Sequence, residues 1–223
     1  MNIKKILFSF FVLIFLFTYV NNAFSEEDLY KKAMDYFWKG QYKKAIPFFK
    51  KAIENNENPC DAYFYLGLSY INLKKYKNAY NISSDFIELC NKRLEKDPKD
   101  FKAHYYLGYI YELRSFVPGI NEYETAIYHF IKASEIDPKN ILPIEHIAFC
   151  YLQMKKYEDA LKYLSKAEEI YADNLWVLYH KGYCYFMLKD KENAKIYFQR
   201  VLSRGKEHNP YYKKAKSFMG KIK

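Results

Sequence analysis

A chain of 223 residues that is 50% apolar and 20% aromatic, with only seven glycines and seven prolines, holds one domain or one array of repeats. That composition excludes a disordered chain, a linker or a low-complexity tract. The formal charge of +10 comes from 36 basic and 26 acidic residues scattered along the chain. Lysine pairs such as Lys43-Lys44, Lys74-Lys75 and Lys155-Lys156 fall at predicted turns, and no basic stripe or base-reading motif emerges, so no nucleic-acid partner is expected.

The chain opens on Asn2-Ile3-Lys4-Lys5, a short positive start, followed by an uncharged run of 15 residues from Ile6 to Val20. Ala23 and Ser25 then supply small residues at the two positions a signal peptidase inspects. A helix needs about 20 apolar residues to span a bilayer, so the run reads as a cleavable signal peptide over residues 1–25, with cleavage before Glu26. An uncleaved anchor through residues 6–20 is the alternative, and a membrane contact is expected only in that case. Both readings export the rest, to the periplasm or cell envelope. Without the first 25 residues the chain keeps 34 basic against 26 acidic residues, a charge of +8.

From Glu26 onward the sequence repeats. Ala45, Ala79, Ala126, Ala160 and Ala194 are separated by 34, 47, 34 and 34 residues, and each begins an apolar pattern of helical spacing. A ladder of tyrosines, Tyr36, Tyr70, Tyr111, Tyr151 and Tyr185, follows a small residue by three each time: Ala33, Gly67, Gly108, Ala148 and Gly182. The spacing of 47 resolves into two additions. One, within Phe86 to Lys96, continues the helical pattern and predicts a second helix about two turns longer in repeat two. The other, Arg114 to Gly119, lengthens the turn inside repeat three. It is either a contact loop or a tolerated insertion.

At these residues the chain resembles the tetratricopeptide repeat. Leu66-Gly67-x-x-Tyr70 and Leu107-Gly108-x-x-Tyr111 carry the first-helix pattern, and Ala126-x-x-x-Phe130 with Ala133 and Pro138 carries the second. The resemblance implies an all-α fold, a right-handed α-solenoid of about five helix-turn-helix repeats. Their limits are about 26–59, 60–100, 101–140, 141–174 and 175–208, with residues 209–223 as a capping helix. Small residues let helices approach and aromatics fill the gaps between them. Several positions depart from the pattern. Lys32 and Lys181 replace the expected leucine, Ser83 and Phe86 interrupt the second helix of repeat two, and Pro47 should bend the second helix of repeat one.

No phosphate loop, nucleophile elbow, His-Glu-x-x-His or Cys-x-x-Cys occurs, so neither an enzyme nor a cofactor is expected. His146 and Cys150 recur as His180 and Cys184, a zinc-like ligand set. Repeats are related by translation and a small rotation, which sends equivalent faces the same way instead of toward one another, so no metal site is expected. His104, His129 and His208 have no partner that spacing identifies. All four cysteines lie in the exported part, and Cys60 with Cys90 sits at one end of a predicted hairpin, where a disulfide and two thiols are both open.

In the family, first helices line a concave groove that holds a peptide or helix of a partner. Projected away from the small residues, Tyr30, Met34, Phe64, Leu68, Tyr105, Tyr109, Phe149, Tyr179 and Tyr183 form one strip. Tyr106, His146 and His180 flank it. The expected partner is a protein or peptide segment, apolar or proline-rich, bound by an exported scaffold. Glycan binding in the envelope and a membrane-anchored assembly factor are the alternatives.

Overall fold

The computed structural model describes residues 26–56 and 58–222, so the expected signal segment, residues 1–25, lies outside them. Every regular element among the described residues is an α-helix, the solenoid fold of tetratricopeptide repeats. The chain divides into two units, one ending at Phe86 and one beginning at Ile87.

The first unit pairs α1 (Glu26–Trp38) with α2 (Tyr42–Glu54) and adds α3 (Pro59–Asn72) and the short α4 (Tyr76–Asn81). Its core is built on Ala33, Ala45, Ala52 and Ala62, none of which has accessible surface, around Phe49 and Leu66. Helices approach closely at these alanines, and the Tyr65 ring lies parallel to Phe49 at 6.1 Å. Pro47 is exposed and α2 runs through it from end to end. The expected lengthening of the next second helix takes a different form, because α4 stops at Asn81 and α5 (Ser83–Lys96) restarts after Ile82. The buried Ser83 hydroxyl donates to the Tyr80 carbonyl at 2.6 Å, competing with the helical ladder at the break.

The second unit takes in most of α5 and the pairs α6 (Phe101–Arg114) with α7 (Tyr123–Ile136), α8 (Ile141–Gln153) with α9 (Tyr157–Ile170), and α10 (Leu175–Met187) with α11 (Lys191–Arg204). The closing α12 (Pro210–Met219) buries Ala215 against α10 and α11 and keeps Lys213, Lys214 and Lys216 exposed, as a cap must. Asp100, Asn140, Asn174, Asp190 and Asn209 cap α6, α8, α10, α11 and α12 by accepting first-turn amides.

One turn recurs within the hairpins. Gly40, Lys74, Lys155 and Lys189 all hold positive φ, and the next residue donates to the carbonyl of Tyr36, Tyr70, Tyr151 or Tyr185 at 2.8 to 2.9 Å. These are left-handed helix caps, and the tyrosine ladder supplies their acceptors. In repeat three the insertion replaces this turn. Its ends are held by the Arg114–Glu122 ion pair at 2.8 Å and by Ser115, whose hydroxyl accepts from the Glu122 amide and donates to the Tyr111 carbonyl.

The two lysines that depart from the repeat pattern have found different solutions. Lys32 is exposed, with its ammonium 4.7 Å from the centre of the Phe48 ring. Lys181 is only 5% exposed and donates to Glu168 at 2.7 Å and to the Ser165 hydroxyl at 2.9 Å. Arg200 closes on the other oxygen of the same carboxylate. A polar network thus takes the volume of a leucine.

Candidate functional site

The aromatic positions on the first helices divide by burial. In the first unit Tyr30, Met34, Phe64 and Leu68 are half-buried, and Tyr30 tilts over Phe49 at 6.2 Å. In the second unit Tyr106, Tyr109 and Tyr179 are buried, whereas Tyr105, Phe149 and Tyr183 keep part of their surface. Tyr109 is packed edge-on against His146, and Tyr179 lies between α10 and the rings of Tyr211 and Phe218 on α12. These two fill space between neighbouring helices, so their truncation is a core change.

Phe149, Tyr179 and Tyr183 border a recess of about 420 Å³ among α8, the start of α9, α10 and α12. Tyr157 and His180 complete its wall, and Lys155 and Lys214 stand on its rim with no carboxylate among the lining residues. Lys155 is exposed in the left-handed turn, and Lys214 carries its ammonium 5.7 Å from the Tyr179 ring. Burial pushes the Tyr179 phenol up to about 12 and His180 down to about 4, so both are neutral near pH 7 and the recess keeps a net positive rim. Phe116 of the repeat-three insertion reaches the same neighbourhood, 6.1 Å from the Phe149 ring.

The recurring His-x-x-x-Cys pairs serve separate ends. His146 Nδ1 meets the buried Glu112 carboxylate at 2.7 Å, and Cys150 turns its thiol toward the same oxygen. His180 Nδ1 bonds the Trp176 carbonyl in its own helix, and Cys184 is buried, its thiol pushed up to about 12 by burial. His104 and His129, for which spacing offered no partner, face one another with Nδ1 atoms 3.1 Å apart. His104 Nε2 lies 3.2 Å from the Pro98 carbonyl, so it donates there and its Nδ1 accepts from His129. Cys60 is buried at the start of α3 and Cys90 in α5, in different units, and their pairing stays an expectation.

The tetratricopeptide-repeat profile matches residues 140–207, a stretch holding α8 to α11 and every residue of the recess except Lys214. The profile of subunit 3 of the anaphase-promoting complex, or cyclosome, matches residues 13–86. The chain is a tetratricopeptide-repeat protein. Similar solved structures include TTC0263, a thermophilic tetratricopeptide protein of Thermus thermophilus. It shares 15% identity at a TM-score of 0.66, over 86% of this chain and 98% of that one. PilF of Pseudomonas aeruginosa shares 18% identity at a TM-score of 0.61, over 84% and 79%. MamA of Desulfovibrio magneticus RS-1, from its residue 41 onward, shares 17% identity at 0.59, over 80% and 94%. At such identities the likeness is one of fold. No curated protein matches the sequence.

Tetratricopeptide repeats are scaffolds for protein–protein interaction, and the class is typically non-catalytic. In this tetratricopeptide protein the repeat pattern accounts for the small residues and the tyrosine ladder. The Glu112, Lys181 and His104 contacts lie outside that pattern. Among the described residues no helix is long and apolar enough to cross a membrane.

Proposed function

We propose that this tetratricopeptide protein is an exported, non-enzymatic scaffold whose second unit holds an extended segment of a partner protein. The observation that carries the reading is the recess beside Phe149 and Tyr183, with its neutral phenols and its two rim ammonium groups. Half-exposed aromatic walls suit an apolar or proline-rich side chain, and Lys155 with Lys214 favours a partner whose flanking residues are acidic. Export rests on the Lys-Lys start, the 15-residue apolar run and Ala23-x-Ser25. N-terminal sequencing of the mature protein should begin at Glu26, and an intact Met1 on soluble cytoplasmic protein refutes it.

Both rim lysines are exposed, so reversing their charge leaves the fold intact. The double variant Lys155→Glu/Lys214→Glu should melt like the native protein and lose the partner that in-cell crosslinking captures. If capture is unchanged, the recess is not the site, and the Arg114 to Gly119 loop becomes the surface to test.

A further inference from the structure

The fold buries one carboxylate that neither the repeat pattern nor the recess accounts for. Glu112, near the end of α6, is 5% exposed, and its Oε2 receives His146 Nδ1 from α8 at 2.7 Å. On the far side of the imidazole, Nε2 lies 3.3 Å from the Tyr105 hydroxyl. Phe130 of α7 stacks on the ring at 4.9 Å, and Tyr105 and Tyr109 present their rings at steep angles. Three helices from two repeats therefore enclose one imidazole, with a carboxylate at one nitrogen and a phenol at the other.

We propose that Glu112, His146 and Tyr105 form a proton-operated lock between the third and fourth repeats, tight while the imidazole is cationic and looser once it is neutral. In the cationic state both ring nitrogens donate: Nδ1–H to the Glu112 carboxylate and Nε2–H to the Tyr105 oxygen. The buried negative charge then has its counter-charge in direct contact. Loss of the Nε2 proton to solvent reverses the second bond, so that the Tyr105 hydroxyl must donate to Nε2. The first bond survives, because Glu112 holds the remaining proton on Nδ1. Glu112 is left as a buried charge facing a neutral ring, and the α6–α8 contact weakens.

The other groups around the ring agree in sign. Burial by itself lowers the His146 value, but the charge and hydrogen bond of Glu112, joined by the charge of Glu145 on α8, outweigh it and raise the value above the ordinary one. Cys150, also on α8, is pushed up by burial and then by Glu112, so its thiol stays neutral. Tyr109 is held well up by burial and then by Glu112, and Tyr123 of α7 is raised mainly by burial. A folded-state value above the unfolded one places the stabilisation below the ordinary histidine value of about 6.5 and removes it as pH rises through the folded value.

The experiment follows the imidazole signals of the whole protein by NMR through a titration, assigning His146 as the resonance missing from His146→Gln. His146 should titrate above the ordinary value of about 6.5 and return toward it in Glu112→Gln. In parallel, the melting-temperature advantage of the native protein over His146→Gln should shrink as pH rises from about 6 to about 9. The glutamine keeps a donor for Glu112 but cannot titrate. A His146 that titrates at or below the ordinary value, or an advantage that does not change with pH, overturns the proposal. Should Glu112→Gln fail to fold, the titration of His146 in the native protein decides alone.

Discussion

Substituting Gly108 by alanine probes the helix contact on which the repeat depends. A Cβ built at Gly108 meets three atoms of the Phe130 ring at 2.7 to 2.8 Å, inside any normal carbon contact. Phe130 has no accessible surface and is itself stacked on His146, so its ring has no open side to move into. Overpacking costs about 1–3 kcal/mol, and a buried ring with no room to shift puts this contact in the upper part of that range, about 2–3 kcal/mol. The alanine gains roughly 1 kcal/mol of helix propensity, leaving a net loss of about 1–2 kcal/mol. For a chain of this length that is a drop in melting temperature on the order of 2–8 °C. Circular dichroism at the helical minimum measures it in thermal and urea melts. The Phe130→Leu change makes room beside Gly108, so the double variant should be more stable than the sum of the two single losses implies. An alanine variant that melts with the native protein, or above it, refutes the argument and the helix register behind it.

Three other outcomes are expected. Glu168→Gln leaves the Lys181 ammonium buried without its carboxylate and should cost roughly 3 kcal/mol in urea unfolding, whereas Lys181→Met, which leaves Arg200 on Glu168, should cost within about 1 kcal/mol. His180, lowered to about 4 by burial, contributes stability that is complete above about 6.5 and lost as pH falls toward about 4. That contribution is on the order of 3 kcal/mol, and His180→Phe should flatten the acid limb of a stability profile, while an unchanged limb counts against it. Mass spectrometry of the non-reduced protein should show a peptide joining Cys60 to Cys90 if the pairing forms, and alkylation of Cys60 rules it out.

The sequence alone determined the repeat, because its contacts recur by translation. A small residue three before each ladder tyrosine and an alanine opening each second helix report where backbones touch, and that rule is the same in every copy. Asp and Asn before each capped first helix are legible for a similar reason, since a cap needs only its own next three residues. The break at Ser83 is also readable, because a hydroxyl competing for a carbonyl acts locally. Tertiary structure decided everything that depends on the angle between copies. Lys181 looks like a damaged leucine until Glu168 and Arg200 arrive from the two neighbouring second helices. Tyr109 and Tyr183 share a helical face by projection, yet one is closed over by His146 and the other borders the recess. Glu112 and His146 sit on first helices that only stacking brings together, and His104 meets His129 across one hairpin. Local periodicity says which face a residue occupies, and the rotation between successive helices settles whether that face meets water, a ring or a charge.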